Sequence, residues 1–237
     1  MKKFITYIAL GLAVAFGATS CDQANIPAEG KGEFSLKVLF DDQTRATAEE
    51  LAADCTINIY NSEGLIRTYK GIDAVPEKMW LVTGDYRCDI LAGKESAASF
   101  TDKSYKGSKA FTINAGATTT VSVECRVNNV IAAVAFDATI ADQFSTFEAQ
   151  VGGELTEGKA LTFNSSSASV GYFTLDKNTT ALQWQFSGTH VKYGAFTKSG
   201  TIEGVEKGKK YNLAFTYTKG TPEGDLKFDI AVVKTTE

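Results

Sequence analysis

The 237-residue sequence contains a single histidine, His190, and that scarcity removes several chemistries at once. A two-histidine metal site and the helical HExxH pair of zinc peptidases both need a second imidazole. There is no GxSxG turn to present a nucleophilic serine, and no GxxxxGKS/T loop whose backbone amides would cradle phosphates. Asp41 and Asp42 are adjacent carboxylates, but the alternating oxygen ligands and glycine of a calcium loop are missing. A Ser/His/Asp triad through His190 lacks a serine with a nucleophile's surroundings, and His190 falls at the turn between the strands of Trp184 and Tyr193. A carboxylate pair for glycoside hydrolysis meets only in three dimensions and leaves no trace in sequence. With so little of the catalytic inventory met, the chain is expected not to be an enzyme and to use no metal or cofactor.

Also absent are a basic stripe and a long apolar run. Lys and Arg number 24 against 28 Asp and Glu, a net charge of −4, which argues against nucleic acid as a partner. The first apolar run, residues 4–15, is shorter than the ~20 residues that cross a bilayer. It sits instead in the order of an export signal: Lys2 and Lys3, the apolar run, the small residues Gly17, Ala18, Thr19 and Ser20, then Cys21. The Cys21 thiolate can take a diacylglyceryl group before cleavage frees its amine. Residues 1–20 are therefore expected to be a removed signal peptide and Cys21 the lipidated N-terminus. Loss of Lys2 and Lys3 takes the net charge to −6. Two or three acyl chains hold a protein on a membrane where one holds it only marginally, so the chain is expected to be tethered rather than to span.

What is present is β-pattern. Residues 21–32 form a short polar tether with Pro27, Gly30 and Gly32. After it, Phe34, Leu36, Val38 and Phe40 alternate along one face. An alanine-rich stretch follows, with Thr47 and Glu50 at capping-box spacing for one or two helical turns. Strand patterns then recur at 56–60 and 65–69, joined by the turn Asn61-Ser62-Glu63-Gly64, and at 78–83, 86–92, 110–114 and 118–127. A second series starts beyond Asn128-Asn129, with a short helical piece near Ile140 and further strands to a last one at 226–233. Many short strands without a long helical period indicate β-sandwiches, and a hydrophobic content of 43% fills two cores. The expected division is 33–128 and 129–237.

Single residues refine this. Cys55, Cys88 and Cys125 alternate with apolar neighbours and are expected on buried strand faces, as core thiols or with one pair bridged. Trp184 alternates with Leu182 and Phe186, and Trp80 lies in a run apolar on both sides, so both are expected in cores. Tyr105, between Lys103 and Lys106, reads as an exposed loop aromatic. An internal echo links Gly84-Asp85-Tyr86 to Gly208-Lys209-Lys210-Tyr211: each tyrosine follows a turn, where it can bury its ring and bond its hydroxyl to turn backbone.

These strand and turn patterns, among them residues 57–67, Leu81 to Tyr86, Tyr105-Lys106-Gly107-Ser108 and Val123 to Val130, together with the Ser20-Cys21 junction, resemble a domain-of-unknown-function family of Bacteroidales lipoproteins. In layout that family is similar to the fimbrillin-like pilins. The resemblance implies an all-β chain of two tandem transthyretin-like, Greek-key β-sandwiches on an outer-membrane lipid anchor at the cell surface, acting in a fimbrium or in cell adhesion. It also implies that Arg45, in Thr44-Arg45-Ala46-Thr47, is a proteolytic processing site. Cutting there would free the strand of Phe34 to Phe40 and open a groove for a strand of another pilin-like subunit. The strand of Leu226, Phe228, Ile230 and Val232 is a candidate donor. The alternative is a lipid-anchored glycan-binding module of a polysaccharide-uptake system, and a periplasm-facing lipoprotein stays open beside it.

Overall fold

The computed structural model describes residues 4–7, 30–41, 48–167, 169–219 and 228–236. They are all-β apart from two short helices and a single 3-10 turn, and they divide into two compact units. The first comprises the residues up to Gly93 with Ser104–Val127; the second comprises Lys94–Lys103 with the residues from Asn128 onward. The second unit thus takes a ten-residue excursion out of the first unit's chain, which a boundary at Asn128 alone does not anticipate.

In the first unit one layer holds β2 (Lys31–Asp41) and β9 (Thr118–Val127), with β1 (Phe4–Tyr7) and β5 (Met79–Val82) on the outer side of β2. The other holds β3 (Thr56–Asn61), β4 (Gly64–Lys70), β6 (Gly84–Gly93) and β8 (Ser104–Ile113), in the order β8-β6-β3-β4. The layers join at a corner where β8 meets β9 through Tyr105–Val127 and Lys106–Arg126. Gly107 permits that approach, because a Cβ there would lie 2.6 Å from the Glu124 carbonyl oxygen. Period-2 alternation sends Phe34, Leu36, Val38 and Phe40 from β2, Val121, Val123 and Cys125 from β9, and Ile57, Ile59, Cys88 and Ile90 from the opposite layer into one core. Phe34 stacks on Phe111 with ring centres 5.0 Å apart, and Phe111 stacks in turn on Tyr86. The β3–β4 turn forms as its sequence implies: Asn61 Oδ1 accepts from the amides of Glu63 and Gly64, and Gly64 takes a φ of 132°. The alanine-rich stretch supplies α1 (Ala48–Asp54), which buries Leu51 and Ala52.

The second unit has two sheets. One runs β17 (Phe228–Thr236), β16 (Lys210–Lys219), β10 (Val130–Phe136), β13 (Val170–Phe173) and β7 (Ala98–Ser99); the other runs β12 (Ala160–Phe163), β11 (Phe144–Gly152), β14 (Ala181–His190) and β15 (Gly194–Glu203). The borrowed excursion contributes β7, which pairs with β13, and Phe100, which packs edge-on against Phe163. Asp102 secures it by accepting from Ser96 Oγ at 2.6 Å and pairing with Lys94 at 2.9 Å. Those hydrogen bonds, from Ser96 first and then Lys94, hold the Asp102 carboxyl below its ordinary range. α2 (Ala138–Gln143) starts at Asp137, whose carboxylate accepts from the Thr139 amide. The core combines aliphatic side chains with five buried phenylalanines, Phe144, Phe163, Phe173, Phe186 and Phe215, beside Trp184.

The internal echo has a physical counterpart. Tyr86 is buried and its hydroxyl donates to the Val82 carbonyl at 2.7 Å. Tyr211 is buried too, with its hydroxyl accepting from the Glu206 amide at 2.9 Å. Each tyrosine ties the start of its strand to the turn before it.

Candidate functional site

The first strand is the strongest candidate for a working element, because its two edges differ. Along one edge β2 pairs in parallel with β9, from Glu33 opposite Thr118 to Phe40 opposite Cys125. Along the other edge cover is piecemeal. β5 pairs with Lys31 to Phe34, β1 pairs with Val38 to Asp41, and Ser35, Leu36 and Lys37 between them pair with neither. A cavity of about 240 Å³ opens beside that gap, walled on the far side by Ile72, Val75 and Pro76. Inward, Phe34 and Val38 are fully buried, Phe40 is 1% exposed, and its ring meets that of Tyr105 edge-on. The element combines apolar anchors at alternate positions with a row of backbone donors and acceptors. That combination can hold a strand in place or be exchanged for another.

The other sequence-derived sites fall as follows. Cys21 and Arg45 lie outside the described residues, as does Leu226. The remainder of the last strand is β17, seated antiparallel on β16 at the sheet edge with Ile230 fully buried. Lys198 of β15 secures it, donating to Asp229 at 2.6 Å and to the Ile230 carbonyl at 2.8 Å. His190 ends β14, is 3% exposed, and accepts the Lys192 and Tyr193 amides on Nδ1, so its ring organises a hairpin turn. Cys55, Cys88 and Cys125 are buried and free. Burial pushes the Cys55 thiol up to about 11 and the Cys88 thiol up to about 12, and Cys125 is raised as well. Among the described residues no group of three His, Cys, Asp or Glu is placed to hold a metal, and no helix is long and apolar enough to cross a membrane.

Two aromatic expectations are overturned. Tyr105 is not a loop residue: it opens β8 and is fully buried, because the strand begins six residues earlier than its 110–114 pattern indicates. Trp80 is not in a core. It is 42% exposed, on the outer face of β5 with Val82, while Met79 and Leu81 turn inward. A four-residue apolar strand whose inner face takes only alternate residues must place the other two outside, and that was the signal available for Trp80. Around it lies a cavity of about 470 Å³ that includes Lys31, Arg67, Asn61 and Asp85. Trp184 is buried, as its alternation implies.

Solved structures that resemble this fold include the following three. A Bacteroides eggerthii protein described as a candidate cell adhesion protein superposes with a TM-score of 0.51 at 10% identity, covering 88% of this chain and 96% of its own. A fimbrial assembly protein from Parabacteroides distasonis gives 0.49 at 11% identity, over 87% of this chain and 99% of its own. The fimbrial anchor protein from Porphyromonas gingivalis gives 0.48 at 9% identity, over 85% and 97%. The Bacteroides eggerthii likeness establishes a shared fold. No curated protein matches the sequence. Residues 30–237, from just before β2 to the end of the chain, match the domain of unknown function DUF4493, and the chain belongs to that family.

Proposed function

We propose that this protein is a non-enzymatic, lipid-anchored component of the bacterial cell surface, a fimbrillin-like subunit acting in adhesion or in a fimbrium. The observation that carries the reading is the first strand, with four apolar side chains buried and one edge only partly covered. The fold shared with a protein described in terms of cell adhesion supports it. Cys21 carries the lipid and fixes the chain to the outer membrane. Cleavage after Arg45 separates β2 from the rest of its unit, so the strand can leave at the cost of its own contacts. The groove then exposes apolar pockets and the unpaired edge of β9, a state that favours capture of another strand. Removal of residues 1–20 takes β1 with it and bares the outer edge of β2 from Ser35 to Asp41.

Limited trypsin digestion of the purified protein tests this directly. Cleavage is expected first at Arg45, with the peptide of Phe34 to Phe40 retained until a competing strand or mild heat releases it, followed by polymerisation. Resistance at Arg45 while other loops are cut, or cleaved protein that stays monomeric, removes the strand-exchange mechanism. For the anchor, metabolic labelling with a palmitate analogue should mark the wild type and not Cys21→Ala; label that persists in the variant refutes it.

A further inference from the structure

We propose that the cavity around Trp80 is a binding site for an acidic oligosaccharide, a glycan carrying uronate-type carboxylates. This goes beyond the subunit reading and concerns the uncut chain, in which β5 is paired with β2 and Lys31 of β2 lines the cavity.

Trp80 is 42% exposed and Val82, two residues on along the same face of β5, is 58% exposed. An indole left half in water on a rigid paired strand is costly to hydrate, and a solvated apolar surface of that kind commonly marks a contact site. Register opposite Glu33 on β2 fixes the backbone of Trp80 and the face its ring takes, which limits the ordering cost at binding. The cavity of about 470 Å³ falls within the range of roughly 300–1,000 Å³ of small-ligand sites. A pyranose ring has one apolar C–H face and an edge of hydroxyls, and the lining offers a counterpart to each. Trp80 and Val82 supply apolar surface, while Asn61, Ser62 and Thr83 supply hydrogen-bonding groups.

Charge decides the class. Lys31 and Arg67 both line the cavity, and among the described residues neither forms an ion pair. Arg67 uses one guanidinium nitrogen on its neighbour's carbonyl, that of Ile66, at 2.9 Å, and its remaining donors are available for the bidentate grip that suits a carboxylate. Asp85, the carboxylate in the lining, accepts from Thr112 Oγ1 at 2.7 Å and keeps its charge, so two cations stand against one anion there. Glu33 nearby pairs with Lys78 at 3.5 Å. On a chain of net negative charge, this is a local cationic spot beside an exposed aromatic ring.

The two tryptophans make the test clean, because Trp184 is buried. In the full chain carrying Trp184→Phe, emission reports Trp80 alone. Titration with a tetramer of α-1,4-linked galacturonate should shift that emission and protect it from iodide or acrylamide quenching. The same tetramer with its carboxyls reduced to alcohols should bind about tenfold more weakly or not at all. Trp80→Ala, with the first unit's transition in scanning calorimetry as the check on folding, should lose binding by about tenfold or more in a titration. Arg67→Gln and Lys31→Gln should each weaken the acidic probe and leave the reduced one unchanged, and added salt should act in the same direction. Equal binding of both tetramers overturns the acidic class. Binding that survives Trp80→Ala, or no protection of Trp80 by either tetramer, overturns the site. Strand exchange is read by polymerisation and is unaffected by any of these outcomes.

Discussion

The two units solve the same problem, closing a sandwich around a first strand laid parallel to a later one, with opposite consequences for that strand. In the first unit β2 lies parallel to β9, and only short β1 and β5 cover its other side. In the second unit β10 lies parallel to β16 and is flanked on its other side by β13, while β17 continues the sheet beyond β16. β13 covers Val130 to Ala133 of β10 as one strand, whereas the outer cover of β2 is split between β5 and β1, and β1 lies in the segment expected to be removed with residues 1–20. A strand left with a single long ladder can be lost with less of its sheet. The units also differ in how they fill the core: both are largely aliphatic, but the first adds three thiols where the second adds more phenylalanine. Under the proposed function, the first is the unit whose strand is replaced.

The strongest way to break this comparison is to cut one large buried side chain from each unit. Phe40→Ala in β2 and Phe215→Ala in β16 each remove a buried ring, at a cost of about 3–5 kcal/mol. Scanning calorimetry should show each substitution lowering its own unit's transition. Only Phe40→Ala should also speed release of the first strand from protein cut at Arg45. If Phe215→Ala speeds it equally, the units are not energetically separate and the contrast fails.

Gly107→Ala probes the corner that the second unit lacks. Its Cβ would lie 2.6 Å from the Glu124 carbonyl oxygen and 2.9 Å from Cys125 Sγ. The loss is expected at about 1–3 kcal/mol in urea denaturation, confined to the first unit; an unchanged midpoint would show that β8 and β9 part easily there. Smaller still is the tyrosine pair. Tyr86→Phe and Tyr211→Phe each delete one hydroxyl bonded to turn backbone and should cost about 0.5–1.5 kcal/mol apiece. Near-equal values support a shared device, whereas a neutral Tyr211→Phe would confine it to the first unit.

The thiols give the mildest contrast, and it lies in pH. Burial raises Cys55 from 9.0 to about 11 and Cys88 from 9.0 to about 12. The folded state therefore favours the protonated thiols, so this contribution is complete below about pH 9 and is lost as pH rises towards 11–12. Folded protein should resist iodoacetamide at neutral pH, and the first unit should weaken at alkaline pH before the second does. Replacing the three cysteines with alanine should abolish that difference; if it stays, another group is responsible.

Much of the fold was legible because strand periodicity is local. Phe34 to Phe40, the Asn61-Ser62-Glu63-Gly64 turn and the two tyrosines at turns each follow from residues within a few positions. Tyr105 and Trp80 were not legible, since the first needed the true start of β8 and the second needed to know which face of β5 met a partner. Lys94–Lys103 falls inside the expected first division, 33–128, and nothing in its sequence announces that Ala98 and Ser99 pair with β13.

The sequence by itself determined the strands, their inward faces, the turns and the buried cysteines, because alternation, glycine and asparagine act on the chain segment that carries them. Tertiary structure alone decided that β2 runs parallel to β9 with one edge half covered, that the second unit borrows a strand from the first unit's chain, and that Trp80 faces solvent beside Lys31 and Arg67. Those outcomes depend on which distant segments pair, and pairing is set by how two layers of side chains fill a common core rather than by any residue's immediate neighbours.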